Sequence, residues 1–304
     1  MKELIKKSKR KFKFKIKADM FTVIFWIVLF LWCLAFLVML FWALIQSFKT
    51  NMEFYLDPGG FPKNWKFSNY LVAIENIHSP VKVAGGGTRE VYLPEMLLYS
   101  LLYAVGAPFF SVLTASVASY IVAKYNRFKW VSAIFAIVIF TTYVPLSPSL
   151  ASNIKLLHSL HLYDSMVGMW IWSSGAFGSM FLLYYANFKG VSWTYAEAAF
   201  IDGASHFRVF FQIMLPLTKA VFGALFLTSF INIWNDYMTP MIYMPSYPTL
   251  SYAAWKIQFS TETIFAVVPV RLAGLMLVIL PVLVLFILTK NKLMNSLSVG
   301  GIKG

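Results

Sequence analysis

The chain has few charged residues and a single cysteine. Charged residues make up 12% of its 304 positions, against about 25% in an average soluble protein. Cys33 has no second cysteine to pair with, which disfavours a disulfide scaffold. Hydrophobic residues account for 59% of the chain and its mean hydropathy is +0.69. These values disfavour both a disordered chain and a soluble globular protein.

The hydrophobic residues are concentrated in six blocks. A membrane helix needs about 20 mostly apolar residues to cross about 30 Å of hydrocarbon. Because backbone groups in lipid must bond within their own segment, we predict helices; barrel strands would be shorter and would alternate. Asp236 is the one charged residue inside a block. The predicted spans are 21–45, 97–123, 130–152, 165–188, 220–243 and 272–289.

The basic residues predict the orientation of these spans. Of the 26 lysines and arginines, 18 lie in segments that would share one side of the membrane, and the positive-inside rule makes that side the cytoplasm. We therefore predict an all-α integral membrane protein with six transmembrane helices and both termini cytoplasmic. The net charge of +14 is explained by this bias and by lipid anchoring, and no nucleic-acid-binding motif accompanies it. The predicted organisation is a basic tail (1–19), a first span (20–47), an extracytoplasmic loop (48–96), a transmembrane core (97–289) with a long cytoplasmic connection (189–219), and a C-terminal tail (290–304).

The connection at 189–219 is too apolar for a solvated loop. A short helix-forming stretch, 195–200, is followed by Gly203, which allows a sharp turn. Phe207 and Phe210 then begin an apolar stripe at helical spacing, and Pro216 stands at the entry to the fifth span. These features predict two amphipathic helices that dock into another protein or lie on lipid.

The spacing within this connection resembles the EAA motif of ABC-importer permeases. Glu197-Ala198-Ala199 is followed after three residues by Gly203, and Leu215-Pro216 closes the motif. The segment 230–237 and the Gly-Gly-Ile-Lys-Gly ending at 300–304 are similar to carbohydrate permeases of the maltose type (MalG-like). The resemblance covers roughly 97–304.

The resemblance implies a MetI-like permease fold and a transport function. The chain would be one transmembrane subunit of an importer that moves a carbohydrate, most simply an oligosaccharide, into a bacterial cell by alternating access. Its partners would be a homologous second permease, two cytoplasmic ATPases that hold ATP and Mg, and an extracytoplasmic solute-binding protein. The chain itself would be neither an enzyme nor a cofactor or metal carrier. Predicted ATPase-coupling residues are Glu197, Ala198, Ala199, Asp202, Gly203, Phe207, Ile213, Leu215 and Pro216, with Gly300, Gly301 and Lys303 of the C-terminal tail reaching the ATPase.

Polar residues in the fifth span predict part of a substrate path. Asn232, Asn235 and Asp236 share one helical face, and an ionisable residue inside a span is a functional candidate. Trp234 could stack on a sugar but lies off this face. A polar packing contact between subunits explains the same pattern, so both interpretations stay open.

Two other classes of function are less well supported. An ion-coupled secondary transporter predicts inverted repeats and several intramembrane carboxylates, whereas the spans hold one carboxylate and no evident repeat. A membrane enzyme would need converging histidines, carboxylates or a nucleophile. His158 and His161 stand without an accompanying carboxylate or cysteine, so they are a weak metal signal. The sequence does not identify the sugar.

Overall fold

Helices form most of the computed structural model, which describes residues 19–83, 85–144, 149–259 and 262–298. Residues 1–18 of the predicted basic tail (1–19) and the C-terminal residues Gly300, Gly301 and Lys303 lie outside the described residues. The helices are α1 (Met20–Gln46), α2 (Asn51–Leu56), α3 (Ser68–Asn76), α4 (Leu93–Lys124), α5 (Lys129–Tyr143), α6 (Leu150–Ser159), α7 (Met166–Ser173), α8 (Ser179–Gly190), α9 (Thr194–Ile201), α10 (His206–Val209), α11 (Leu215–Leu217), α12 (Lys219–Trp234), α13 (Met238–Tyr243), α14 (Leu250–Phe259), α15 (Thr263–Ala266) and α16 (Val268–Ser298).

Two helices of the described residues, α1 and α4, are each long and apolar enough to cross a bilayer alone. With 27 residues, α1 is about 40 Å long and would tilt in a core of about 30 Å. A third candidate span arises if the segment from α10 to α11 and the helix α12 are taken together; the two are bent by 77° relative to each other. The count of six spans stays a prediction.

Two predicted spans are interrupted. The block 165–188 contains α7 and α8, separated by a break in which Gly178 has a φ of 122°. The block 220–243 contains α12 and α13, separated at 235–237. Hydropathy averaged over a block does not register such breaks, because apolar residues on both sides hide a local change of backbone direction.

A small module connects α1 to α4. Strands β1 (His78–Lys82) and β2 (Thr88–Tyr92) form an antiparallel hairpin in which Pro80 is opposite Glu90. The Arg89 guanidinium donates to both carboxylate oxygens of Glu95 at 3.0 and 2.7 Å, and these bonds raise the pKa of Arg89. The module packs on α16 through α3.

The longest internal helix, α4, is the centre of the packing. It contacts α7, α8 and α12. Close approach to α7 is possible because Gly106 faces Trp170, where an added Cβ would lie 2.2 Å from the indole. The indole N–H donates to the carbonyl of Leu102 at 3.1 Å. One apolar cluster joins α4 to the hairpin module, α12, α14 and α16, and a second joins it to α8, α9 and α12.

Candidate functional site

The connection between α8 and α12 begins with a short helix that ends in a sharp turn. In α9, the N–H groups of Ala196 and Glu197 bond to the carbonyl of Trp193 at 2.8 and 3.1 Å. At its end, Gly203 has a φ of 78° and donates to Phe200, while Ala204 donates to Ala199. These two bonds form a Schellman motif, in which the residue after the helix cap has a left-handed backbone conformation. Glycine is favoured at that position because a side chain there would be strained. The turn predicted at Gly203 is therefore present.

The second arm of the connection is irregular. The hydroxyl oxygen of Ser205 accepts from the Arg208 N–H at 3.3 Å and caps α10. A π-helical turn (Phe210–Met214) follows, then α11. We refer to residues 194–217, from α9 to α11, as the coupling segment. It meets α12 through the 77° bend.

One face of the coupling segment is buried in the body of the protein. Ala196, Val209 and Met214 are fully buried, and Phe210 is nearly so, in the cluster that includes α4 and α8. The Phe210 ring lies 5.1 Å from that of Tyr120. Phe207 and Phe210 therefore do not form the single apolar stripe that their spacing predicted, because Phe210 packs into this core cluster whereas Phe207 is 74% exposed.

The opposite face is exposed, apolar and acidic. Ile201 is 86% and Phe207 74% exposed, with the Glu197 and Asp202 carboxylates beside them in the sequence and also exposed. We call this face, with Tyr195 and Ala198, the exposed coupling face. It borders a groove of about 540 Å³ lined by residues that include Ser192, Thr194 and Ile213. An exposed apolar surface on a packed support is typical of a protein interaction site.

The predicted coupling residues divide between the two faces. Glu197, Ala198, Asp202, Gly203, Phe207 and Pro216 are exposed. Ala199 is buried, and Ile213 and Leu215 are half-buried against the core cluster. The motif did not single out Tyr195 and Ile201. Both are large apolar residues in a segment that is too apolar for a solvated loop, and that signal could have found them.

The predicted substrate-path residues lie where α12 ends. Asn235 and Asp236 are outside α12, so the continuous polar helical face expected from their spacing is absent. One carboxylate oxygen of Asp236 accepts from the N–H groups of Met238 and Thr239, both at 3.0 Å, and so caps α13. Trp234 is 6% exposed and packs in the core. Asn232 and Asn235 are exposed.

A cavity of about 330 Å³ adjoins this break, between α12, α14 and α16. Tyr237 and Trp255 stack on one side of it, with ring centroids 5.8 Å apart and planes 10° from parallel. Trp255 and α14 played no part in the site predicted from the sequence, because only the folded chain brings α14 to the end of α12. Among the described residues, no group of three or more His, Cys, Asp or Glu side chains could hold a metal ion.

Comparison with known proteins gives relatives over most of the chain. It is 23% identical over 276 residues to the diacetylchitobiose uptake system permease protein NgcG of Streptomyces coelicolor. The aligned region covers 90% of this chain and 86% of that protein. It is 28% identical over 277 residues to the arabinooligosaccharides transport system permease protein AraQ of Bacillus subtilis. That aligned region covers 89% of this chain and 92% of AraQ.

The fold also has a counterpart among solved structures. A chain in the crystal structure of a bacterial ABC transporter involved in the import of the acidic polysaccharide alginate superposes with a TM-score of 0.69 at 18% identity, covering 90% of this chain and 96% of that one. This likeness shows a shared permease fold. Residues 92–291, which include the coupling segment and the cavity, match the family described as binding-protein-dependent transport system inner membrane component. The chain belongs to that family of transporter permease components.

Proposed function

We propose that this chain is the transmembrane permease subunit of an ATP-binding-cassette importer for a carbohydrate, with an oligosaccharide as substrate. Family membership supports an importer subunit. The names of the relatives support the substrate class, since two of them concern diacetylchitobiose and arabinooligosaccharides. An ion-coupled carrier has no comparable support.

The observation that carries the proposal is the two-faced coupling segment. Its buried face fixes it rigidly to α4, α8 and α12, while its exposed face offers Ile201, Phe207 and two carboxylates to another molecule. A cytoplasmic ATPase with an apolar cleft and a basic rim would match this surface. Glu197 and Asp202 would then bond to its basic or donor groups.

Coupling follows from this geometry. ATP binding would close the ATPase dimer and displace the exposed coupling face. Because packed helices move as units rather than deform continuously, the displacement would rock α12 and its neighbours and open the path to the opposite side. Hydrolysis would reset the arrangement. ATP and Mg belong to the ATPase in this scheme, and no cofactor is assigned to this chain.

We also propose six spans with both termini in the cytoplasm of a bacterial cell. The positive-inside bias supports this orientation, and the charge-poor length of α1 supports a retained first span. The remaining partners would be a homologous second permease and an extracytoplasmic binding protein. Gly300, Gly301 and Lys303 would contact the ATPase, and Asn232, Asn235 and Asp236 would lie on the substrate path.

The test reverses the charge and alters the turn of the exposed coupling face. We expect Glu197→Lys with Gly203→Asp to abolish ATP-dependent sugar uptake while the chain still inserts in the membrane, because the lysine repels a basic cleft and the aspartate strains a left-handed turn. The measurement is uptake and ATP hydrolysis by the assembled importer.

A matched control carries the same changes elsewhere. Glu75→Lys with Gly59→Asp alters exposed positions in the module between α1 and α4 and should leave uptake unchanged. Normal uptake in the coupling variant would contradict the proposal, as would uptake by this chain without any nucleotide, which an ion-coupled carrier would show.

A further inference from the structure

The cavity where α12 ends has the surface chemistry of a sugar-binding site. Its volume of about 330 Å³ is at the small end of the range for ligand sites, about 300–1,000 Å³, and suits one sugar ring better than a whole chain. It combines broad aromatic surfaces with a few polar groups, the usual composition of a site for a small organic ligand.

The aromatic surface is built by rings that hold one another in place. Trp255 stacks with Tyr237 and also with Tyr252, whose ring centroid is 6.1 Å away at an interplanar angle of 17°. Phe259 lies 5.7 Å from Trp255 on the next turn of α14. Large rings immobilised by their neighbours lose little conformational entropy when a ligand binds, and they suit the flat C–H face of a sugar.

The polar groups of the cavity are available to hydroxyls. The Gln258 side chain is exposed and forms no hydrogen bond within the described residues. The Asn235 amide donates to Ile231 at 2.8 Å through its nitrogen, which leaves the oxygen to accept. The Ser251 hydroxyl donates to the carbonyl of Asp236 at 2.7 Å and accepts from the Thr249 hydroxyl at 2.9 Å, which leaves its oxygen one lone pair to accept with. Donors and acceptors together match a hydroxyl, which needs both.

Charge narrows the ligand class further. None of the described residues that line the cavity is a lysine, arginine, histidine, aspartate or glutamate. The nearby Lys256 ammonium is directed elsewhere, to the carbonyl of His78 at 3.0 Å and towards Glu262 at 3.7 Å. A carboxylate or phosphate in a site without a cation would lose its hydration without a partner. The cavity therefore favours a neutral sugar.

Its position is suited to receiving substrate. The 16 residues of α12 separate it from the coupling segment by about 24 Å, so it lies towards the side opposite the ATPase in the proposed orientation. Asp236 fixes the geometry of the cavity, since its side chain caps α13 and its carbonyl accepts from Ser251 on α14.

We propose that this cavity is a subsite on this chain for one neutral sugar ring, which stacks on Trp255 and Tyr237 and hydrogen-bonds to Gln258, Asn235 and Ser251. The inference rests on the proposed function and adds that this subunit itself holds the sugar, and that uronic acids and sugar phosphates are disfavoured at this point.

The experiment uses the complete importer, with its ATPase, second permease and binding protein. Labelled maltotriose, diacetylchitobiose, arabinotriose and an alginate oligosaccharide are supplied as probes, and the sugar retained by the vanadate-arrested complex is measured. Aromatic stacking is worth about 0.5–1.5 kcal/mol, so Trp255→Ala should reduce retention of a neutral probe up to about tenfold. Trp255→Phe should retain an intermediate amount.

Two further variants separate binding from folding. Gln258→Ala removes an exposed group without internal partners and should reduce retention about threefold to tenfold, the range for losing one hydrogen bond. Trp65→Ala, at an exposed tryptophan outside the cavity, should leave retention unchanged. Yields of assembled complex are compared for every variant.

The outcomes distinguish the subsite from the function. Retention of a neutral sugar that neither Trp255→Ala nor Gln258→Ala reduces would overturn the subsite and leave the proposed function intact. Retention of the alginate oligosaccharide alone, or loss of assembled complex as the only effect of both variants, would also overturn the subsite. Failure of the wild-type importer to retain or transport any probe would contradict the carbohydrate function itself.

Discussion

Gly168 lies where α7 passes the turn that follows α6. A Cβ at this position would be 2.1 Å from the carbonyl oxygen of Leu162, and backbone atoms cannot yield as the end of a flexible side chain can. The turn is itself held by bonds from the Leu162 and Tyr163 N–H groups to the carbonyl of Leu157. Hence the absence of a side chain at Gly168 allows α7 to pass close to this turn.

Replacement of Gly168 by alanine should therefore destabilise the protein. Overpacking of this kind costs about 1–3 kcal/mol, and backbone clashes lie at the upper end. The midpoint of thermal unfolding of the detergent-purified chain measures the effect. Gly175→Ala is the control, because nothing lies within 4 Å of a Cβ there; equal midpoints for the two variants would contradict the packing argument.

At the scale of the element, the coupling segment shows that a helical turn and its glycine can be predicted from spacing, whereas the direction of each side chain cannot. Gly203 stood out because a short helix must end there. Phe210 was grouped with Phe207 because both are aromatic and three residues apart, but Phe210 packs on Tyr120 in the core, a contact between distant segments that local spacing does not encode.

The exposed coupling face can be tested without disturbing the core. Ile201 is 86% exposed, so Ile201→Asp should remove little internal packing but places a charge on the apolar surface that is proposed to contact the ATPase. A hot-spot residue of an interface contributes about 2 kcal/mol or more, so if Ile201 has this role ATP-dependent uptake should fall at least about tenfold and less ATPase should copurify. Leu56→Asp, at a residue 77% exposed between α1 and α3, serves as control; equal uptake in both variants would exclude Ile201 from the interface.

The fifth block shows where composition stops being informative. Its apolar character was correctly read as helical, but Asp236 proved to be a cap at the junction of α12 and α13 rather than a member of a polar helical face. Trp255 was not part of any site predicted from the sequence. Its stacking on Tyr237 depends on contacts between segments that no local pattern encodes.

At the scale of the whole molecule, α4 and α12 connect two apolar clusters. Both helices contribute to the cluster that includes α14 and α16, through residues such as Met96 and Trp234. Both also contribute to the cluster that seats the coupling segment, through residues such as Val112 and Leu225. These shared helices are the route by which we expect a movement of the coupling segment to reach the cavity.

The proposed orientation of the spans is testable because Cys33 is the chain's one cysteine. In a Cys33→Ser background, a membrane-impermeant thiol reagent should label Phe61→Cys in intact cells, because that exposed position is assigned to the extracytoplasmic side. Phe128→Cys, also exposed, should react only after permeabilisation. The opposite pattern would invert the topology and place the coupling segment out of reach of any cytoplasmic ATPase.

The 77° bend between the coupling segment and α12 has a mechanical consequence. The bend joins the arm that runs from α10 to α11 with α12, so a push along that arm would act on α12 almost at a right angle to its axis. A force applied at this bend would therefore tilt α12 rather than shift it along its axis. In the proposed importer, tilting α12 in this way would widen the substrate path at one end of the helix and narrow it at the other.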